Sequence, residues 1–261
     1  MAKTKDIVST NPFTEVTIEP IVVNGKEQRN KRILVTDDEG EQHFVSAVGE
    51  NYQLIHNEIL HQAATDVMSR SDHTFEPLKT YWDGFRYLDY YRSVDPIVYN
   101  KNEYNNLHLG AMWRNSYDKS SLATLSIFIL CKGCLNQYHS GNLFGQFEIR
   151  HVQSSAFTQA SVTDALQNLQ IGAENTLKLA PRLKAMQQEV IDVEAVCKAK
   201  SSRLLPDNKW PNVLDQLNNE EKTQHGLFQA LTNIATHELP DWNGHRYRES
   251  CTEYFLKDSV N

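Results

Sequence analysis

The stretch Phe85-Arg-Tyr-Leu-Asp-Tyr-Tyr-Arg92 decides the fold class. Phe85, Tyr87, Asp89 and Tyr91 alternate with Arg86, Leu88, Tyr90 and Arg92, which is the two-residue period of a strand. Neither set is purely polar, so the strand is expected to be covered on both faces. Leu107, Leu109, Ala111 and Trp113 repeat the alternation, and Leu122 to Cys131 and Phe144 to Val152 complete an antiparallel sheet of several strands. Toward the N-terminus, Phe13 to Val23 reads as extended. Asn24-Gly25 is a hairpin turn. Arg32 to Thr36 and His43 to Val48 flank the polar loop Asp37-Asp38-Glu39-Gly40, and Tyr52 to Ile55 reads as another short strand. Asn57 to Arg70 then changes period. Ile59, Leu60, Ala63, Ala64, Val67 and Met68 fall on one face of a helix.

After Ser154 the pattern is helical over 158–200. One side carries Val162, Leu166, Leu169, Ala173 and Leu177; a neighbouring side carries Leu179, Leu183, Met186, Val190, Val193 and Val196. Pro181 is expected to kink or split this run. Further helices are read over 211–219, 223–238 and 245–257, interrupted by Leu239-Pro240. The predicted class is α+β: an N-terminal antiparallel sheet with one inserted helix, then a helical region with a long kinked helix. Its divisions are a flexible 1–12, a β-rich core over 13–155, and a helical 156–261 packed on the sheet or on another subunit.

The chain has 261 residues, 40% hydrophobic and 23% charged, which are globular values. No apolar run reaches the roughly 18 residues of a membrane span. The longest, Leu122 to Cys131, is interrupted by Thr124 and Ser126. Met1 to Asp6 has no apolar core of an export signal, and four cysteines do not make a disulfide framework. The expected compartment is the cytoplasm and no membrane contact is expected. The net charge of −7 divides as −3, −1 and −3 over 1–50, 51–160 and 161–261, so the middle part is the least acidic, and there is no Lys/Arg block. That disfavours a duplex-DNA binder. It leaves single-strand binding open, where stacking shares the work with phosphate contacts.

Aromatic density is the conspicuous feature. Ten rings lie between Tyr81 and Tyr117, interleaved with Arg86, Arg92, Lys101 and Arg114. One reading is a sheet surface that stacks bases while cations hold phosphates. The other is a sheet core, because aromatics favour strands anyway. Asn115-Ser-Tyr-Asp-Lys-Ser-Ser121 lies between two strands as a polar loop. Cys131-Lys-Gly-Cys134 could bind zinc with His139 and His151 or act as a redox pair. Structural zinc sites usually carry two such knuckles, though, and a thiol ending an apolar strand is more simply a core residue. No Walker loop, nucleophile elbow or HExxH motif occurs, so no cofactor is expected and classical catalysis finds little support.

Taken together, Asn115-Ser-Tyr-Asp-Lys-Ser-Ser121 and Cys134-Leu-Asn136, sixteen residues beyond Asp118, resemble the phage/plasmid-like proteins known as domain of unknown function 932. That family carries an N-S-[HY]-D-G-S loop and a strand ending in C-x-N. Val45 to Asn57, the position of His151, and Gly244 to Phe255 are similar to its flanking segments. In two places the chain departs from the family pattern. Lys119 stands where the family has glycine, which alters the expected turn, and Cys131 stands where arginine is frequent. The resemblance implies a mobile-element origin, and hence a host bacterial cytoplasm. It supplies no mechanism.

The leading expectation is a non-catalytic DNA-metabolism protein that binds single-stranded DNA and promotes annealing or recombination, working as a homo-oligomer. Arg86, Tyr87, Arg92, Lys101, Trp113, Arg114, Asn115, Tyr117 and Lys119 are the candidate contacts, and Asn115, Ser116, Asp118, Ser120, Cys134 and Asn136 are the motif positions. The alternative is an assembly protein acting through the apolar stripe of its helical arm at Leu169 and Leu177. A metal-dependent enzyme using Asp118, Cys134, His139 and His151 ranks third.

Overall fold

Asn24 and Gly25 both adopt positive φ, 49° and 72°. That is the backbone a two-residue hairpin turn requires, and it joins β1 (Val16–Val23) to β2 (Lys26–Thr36). β2 returns through the Asp37 loop to β3 (Gln42–Val48), giving an antiparallel three-stranded sheet of order β1-β2-β3. Asp37 closes the loop by accepting the Glu39 and Glu41 amides at 2.9 and 2.8 Å on one carboxylate oxygen. Helix α1 (Asn57–Arg70) follows. Its buried residues Leu60, Ala63, Ala64, Val67 and Met68 trace one face.

A six-stranded sheet comes next: β4 (Phe75–Trp82), β5 (Arg86–Ser93), β6 (Leu107–Ser116), β7 (Ala123–Cys131) and β8 (Gln137–His139) in that order, with β9 (Gln146–Ile149) pairing β7. Between β8 and β9 lies the one-turn helix α2 (Gly141–Phe144), whose Ser140 side chain accepts from the Leu143 amide. The helical region comprises α3 (Gln159–Met186), α4 (Val193–Ser201), α5 (Trp210–Asn219), α6 (Gln224–His237) and α7 (Asp241–Leu256). The α+β class holds. This computed structural model describes residues 10–99, 106–151, 159–219 and 221–259.

Two compact units emerge. The first gathers the described residues of Met1–Tyr91, Met112–Leu125 and Phe147–Leu166; the second gathers those of Arg92–Ala111, Ser126–Gln146 and Gln167–Asn261. Their boundaries fall within β5, β6, β7, β9 and α3. A core of Val16, Ile33, Val35, Val48 and Tyr117, flanked by Ile18, Trp82 and Phe85, organises the three-stranded sheet of the first unit. In the second, Trp210, Val213, Leu217, Leu227, Leu231, Ile234 and Cys251 bring α5, α6 and α7 together. Phe128 lies so close to Gly110 that an added Cβ would sit 2.3 Å from its ring.

Several expectations are revised. Pro181 does not split the long helix: α3 runs through it, and the break falls between Met186 and Val193. The proline is exposed, and the carbonyl whose hydrogen bond it forfeits belongs to Leu177, also exposed. Tyr52–Ile55 forms a single bridge at Tyr52 rather than a strand. The front of the expected Phe144–Val152 strand is helix α2. The expected mobile segment 1–12 lies outside the described residues except for Thr10–Pro12. There Thr10 donates to Asp38 and the Pro12 carbonyl accepts from Asn57.

Candidate functional site

The Asn115–Ser121 loop is built as a weld. Asn115 Nδ2 donates to the Ile55 carbonyl at 2.8 Å and to Asn57 Oδ1 at 2.9 Å. Tyr117 Oη accepts from the Asn57 amide at 2.9 Å, satisfying the first turn of α1 where His56 offers no side-chain cap. Ser46 Oγ donates to the Tyr117 carbonyl. Ser116 Oγ donates to the Ser121 carbonyl and accepts the Ser121 amide, closing the loop on itself. Asp118 accepts from the Ser120 amide on one oxygen, and from Arg86 Nε and Nη2 at 2.9 and 2.8 Å on the other. Asp83 approaches the same guanidinium at 3.7 Å. Lys119 takes φ 67°, the left-handed conformation for which glycine is the usual residue.

This geometry corrects the expected stacking surface. Tyr87, Trp113, Asn115 and Tyr117 are buried, and burial drives the phenols of Tyr87 and Tyr117 well above their ordinary range. Rings in this position fill a core and cannot receive bases. Arg86, expected on phosphates, is held by Asp118 and Asp83. Arg92 and Arg114 are half-buried, Lys119 is exposed, and Lys101 lies outside the described residues. The apolar stripe of the helical arm is buried only in part, with Leu177, Val190 and Val193 exposed. Leu169, Gly172, Thr176, Leu179, Leu183 and Met186 are buried at alternating spacings of three and four, while Leu177 is exposed. A Cβ added to Gly172 would meet Ile127 at 2.5 Å.

The Cys134-Leu-Asn136 motif sits in a second polar network. Asn136 Nδ2 donates to Gln229 Oε1 at 2.6 Å, and Asn233 Nδ2 donates to Asn136 Oδ1 at 3.3 Å. Gln229 Nε2 donates to Tyr138 Oη at 2.6 Å. His139 and His151 do not join the cysteines. His139 stacks on Phe128 and contacts His245, while His151 stacks on Tyr52 and contacts the Gln53 carbonyl. Burial lowers the His151 pKa. Among the described residues, the three ligand-type side chains gathered within 4.8 Å are Asp37, Glu41 and His43. His43 Nε2 is 2.6 Å from Asp37 Oδ2, and this hydrogen bond holds the Asp37 carboxyl below its usual range. The cluster serves the hairpin's own closure.

Two features escaped sequence reading. Asp89 is 2% exposed and accepts from His61 Nδ1 at 2.9 Å, Thr80 Oγ1 at 2.9 Å and Tyr91 Oη at 2.6 Å. An acid within a strand otherwise rich in rings was its only signal. The other is the arm formed by the ends of β1 and β2. β3 pairs β2 only from Lys31 onward, Lys26 and Glu27 pair with Val23 and Val22 of β1, the β1–β2 register shifts between Pro20 and Val22 beside Gln28–Asn30, and residues 22–30 are all exposed. Lys26 and Arg29 lie on this arm, and the Arg29 side chain is 89% exposed. Lys31 and Arg32 continue it, with Arg32 bonded to Glu19 at 2.8 Å. On the same three-stranded sheet, Phe44 leaves its ring 56% exposed. The signal was present in Gly25-Lys-Glu-Gln-Arg-Asn-Lys-Arg32, diluted by Glu27. No helix among the described residues is long and apolar enough to cross a membrane. Compared with protein-family models, with curated proteins and with solved structures, the chain matches none.

Proposed function

We propose that the protein binds single-stranded nucleic acid, without chemistry of its own, through the β1–β2 arm and the adjacent face of the three-stranded sheet. The observation that carries this reading is the nine-residue exposed run 22–30 with Lys26 and Arg29 projecting from it. Lys31 and Arg32 extend the cationic edge, and Gln28 and Asn30 add amide donors and acceptors. Cations neutralise phosphates irrespective of base, and an exposed ring such as Phe44 offers a stacking face to any base. Glu19 and Glu27 moderate the field, which fits a surface that binds reversibly and responds to salt. Annealing of complementary strands is the activity such a surface would serve in a mobile-element protein.

The test is fluorescence anisotropy with a labelled oligo-dT at two salt concentrations. Saturable binding at micromolar protein that weakens with salt is expected. Lys26→Ala/Arg29→Ala/Lys31→Ala should lose about 10-fold or more in affinity and flatten the salt dependence, by about 0.7 in log–log slope for each phosphate no longer neutralised. No binding, or binding indifferent to the triple substitution, overturns the reading.

A further inference from the structure

A cleft of about 820 Å³ opens in the helical part of the second unit, within the range of about 300–1,000 Å³ that small-ligand sites occupy. Three helices each turn one face into it. Lys178 and Arg182 stand four residues apart on α3, Ala195 and Lys198 three apart on α4, and Gln224 and Leu227 three apart on α6, so each pair shares a helix face. The end of α7 supplies Tyr254 and Phe255, and the 3-10 turn Lys257–Ser259 that follows supplies Lys257 and Asp258. The wall is braced where the chain reverses after α3. The Ile191 amide donates to the Lys222 carbonyl at 3.0 Å, and the Gln224 amide to the Glu189 carbonyl at 2.8 Å.

This wall is cationic in an acidic chain. The sequence has 26 Lys and Arg against 33 Asp and Glu, yet Lys178, Arg182, Lys198 and Lys257 line the cleft against Asp258 alone. Arg182 is held in place by Glu189 and by Gln224 Oε1, to which Nη2 donates at 2.9 Å. Glu189 offsets part of its charge, so the three lysines carry the field. Lys178 donates only to the neutral Asn175 Oδ1, at 3.2 Å. Lys198 and Lys257 are exposed and, among the described residues, in no ion pair. Like charges gathered on one concave wall raise the local potential, and an anion relieves it. The floor is apolar. Leu227 is buried, and Ile191, Tyr254 and Phe255 are half-buried against the core of α5, α6 and α7. The Tyr254 and Phe255 rings meet edge to face, their centroids 4.9 Å apart.

We propose that this cleft binds a nucleoside polyphosphate, with the phosphates among Lys178, Lys198 and Lys257 and the base against the aromatic floor. Charge and shape argue for that class together. A polyphosphate brings the charge that three lysines neutralise through charge-assisted hydrogen bonds. Inorganic phosphate leaves the floor bare, and an uncharged aromatic leaves the lysines unpaired. No glycine is among the described residues that line the cleft. The phosphates are therefore held by side chains and not by the backbone amides of a glycine-rich loop. The site lies within the second unit and owes nothing to the β1–β2 arm of the first.

The experiment is isothermal titration calorimetry of the full chain with ATP, inorganic triphosphate and adenosine. Saturable, salt-sensitive binding of ATP at sub-millimolar concentration is expected, with triphosphate weaker and adenosine weaker still. Lys198→Ala/Lys257→Ala should lose about 10-fold or more in ATP affinity, the effect of removing two charged contacts. Lys184→Ala removes an exposed lysine of α3 that does not line the cleft, and should leave ATP affinity unchanged. Tyr254→Leu keeps an apolar side chain on the core without the ring, and should narrow the gap between ATP and triphosphate. Circular dichroism checks that each variant is folded. Absence of saturable ATP binding overturns the proposal, as does equal affinity for triphosphate or an equal loss in Lys184→Ala. A nucleic-acid strand presents the same phosphates and bases, so labelled oligo-dT is titrated against the same variants. Unchanged oligo-dT binding in Lys198→Ala/Lys257→Ala supports a free nucleotide as the occupant; a loss as large as that for ATP gives the cleft to a strand and overturns it. Failure of Lys26→Ala/Arg29→Ala/Lys31→Ala to weaken oligo-dT binding bears on the arm alone.

Discussion

The six-stranded and three-stranded sheets use the same kinds of side chain in opposite ways. In the first, the rings Tyr87, Trp113 and Tyr117 are buried and Arg86 is clasped by Asp118. In the second, Phe44 is exposed and Lys26 and Arg29 stand on an arm that nothing on β3 covers. Rings interleaved with cations therefore do not mark a binding face. What separates the two cases is whether strands have neighbours on both sides: Arg86, held by Asp118, has a side chain 30% exposed, whereas Arg29, 3.9 Å from Glu50, and Arg32, paired with Glu19, keep 89% and 48%. β5 and β6 are interior strands of their sheet. The ends of β1 and β2 outrun theirs.

The sharpest way to break this contrast is to truncate a ring on each side of it. Trp113→Ala should cost about 3–5 kcal/mol of stability by opening a core cavity, measured by urea unfolding. The folded fraction should still bind oligo-dT with unchanged affinity. Asp89→Ala should cost about 3 kcal/mol, because it leaves His61, Thr80 and Tyr91 without their shared acceptor in a buried site. Phe44→Ala should do the reverse of Trp113→Ala: about 1–3 kcal/mol of oligonucleotide affinity lost in anisotropy titrations, with little change in unfolding midpoint. A Phe44→Ala protein that binds normally would remove the ring from the proposed surface.

His151 and the weld test the first unit further, the one through pH and the other through the backbone. His151 is buried with a lowered pKa, so the unfolded chain takes up its proton first as pH falls through roughly 6.5. Its contribution to stability is present above that pH and declines below it. Unfolding midpoints at pH 7.5 and pH 5.5 should differ by less in His151→Gln than in the parent. The smallest effect is expected at Lys119. Lys119→Gly relieves a left-handed backbone and should raise stability by up to about 1 kcal/mol, less the added freedom of the unfolded chain. A loss of stability would show that the Lys119 side chain contributes more than its backbone costs.

Local pattern was sufficient for much of the fold. The period of Asn57–Arg70 placed α1 to the residue, and Asn24-Gly25 placed the first hairpin. Alternation located β5 and β6, and the apolar run Leu122 to Cys131 located β7. β8 escaped because three residues carry no period. β2 was read too short because Lys26–Asn30 is polar throughout, and a two-stranded arm in solvent needs no apolar face. Phe144 was assigned to a strand, yet the Ser140 cap and the Gly145 backbone at φ 96° end a helical turn there. The candidate site was legible in part. Asn115, Ser116 and Asp118 did prove to form one constellation, but the partners that give them a structural role, Ile55, Asn57 and Arg86, are distant in sequence. The cysteine pair was visible as a motif; the tight return of the chain at Leu135 and the bond between Asn136 and Gln229 were not.

The sequence by itself determined the class of fold, the order of its elements and the residue types present for stacking, charge pairing and thiol chemistry, because propensity and periodicity act over a few neighbouring residues. Only the tertiary structure decided which of those side chains meet solvent and which are consumed. Burial and pairing depend on strands and loops tens of residues apart, so a guanidinium's partner and a ring's exposure are set by contacts that no local window contains.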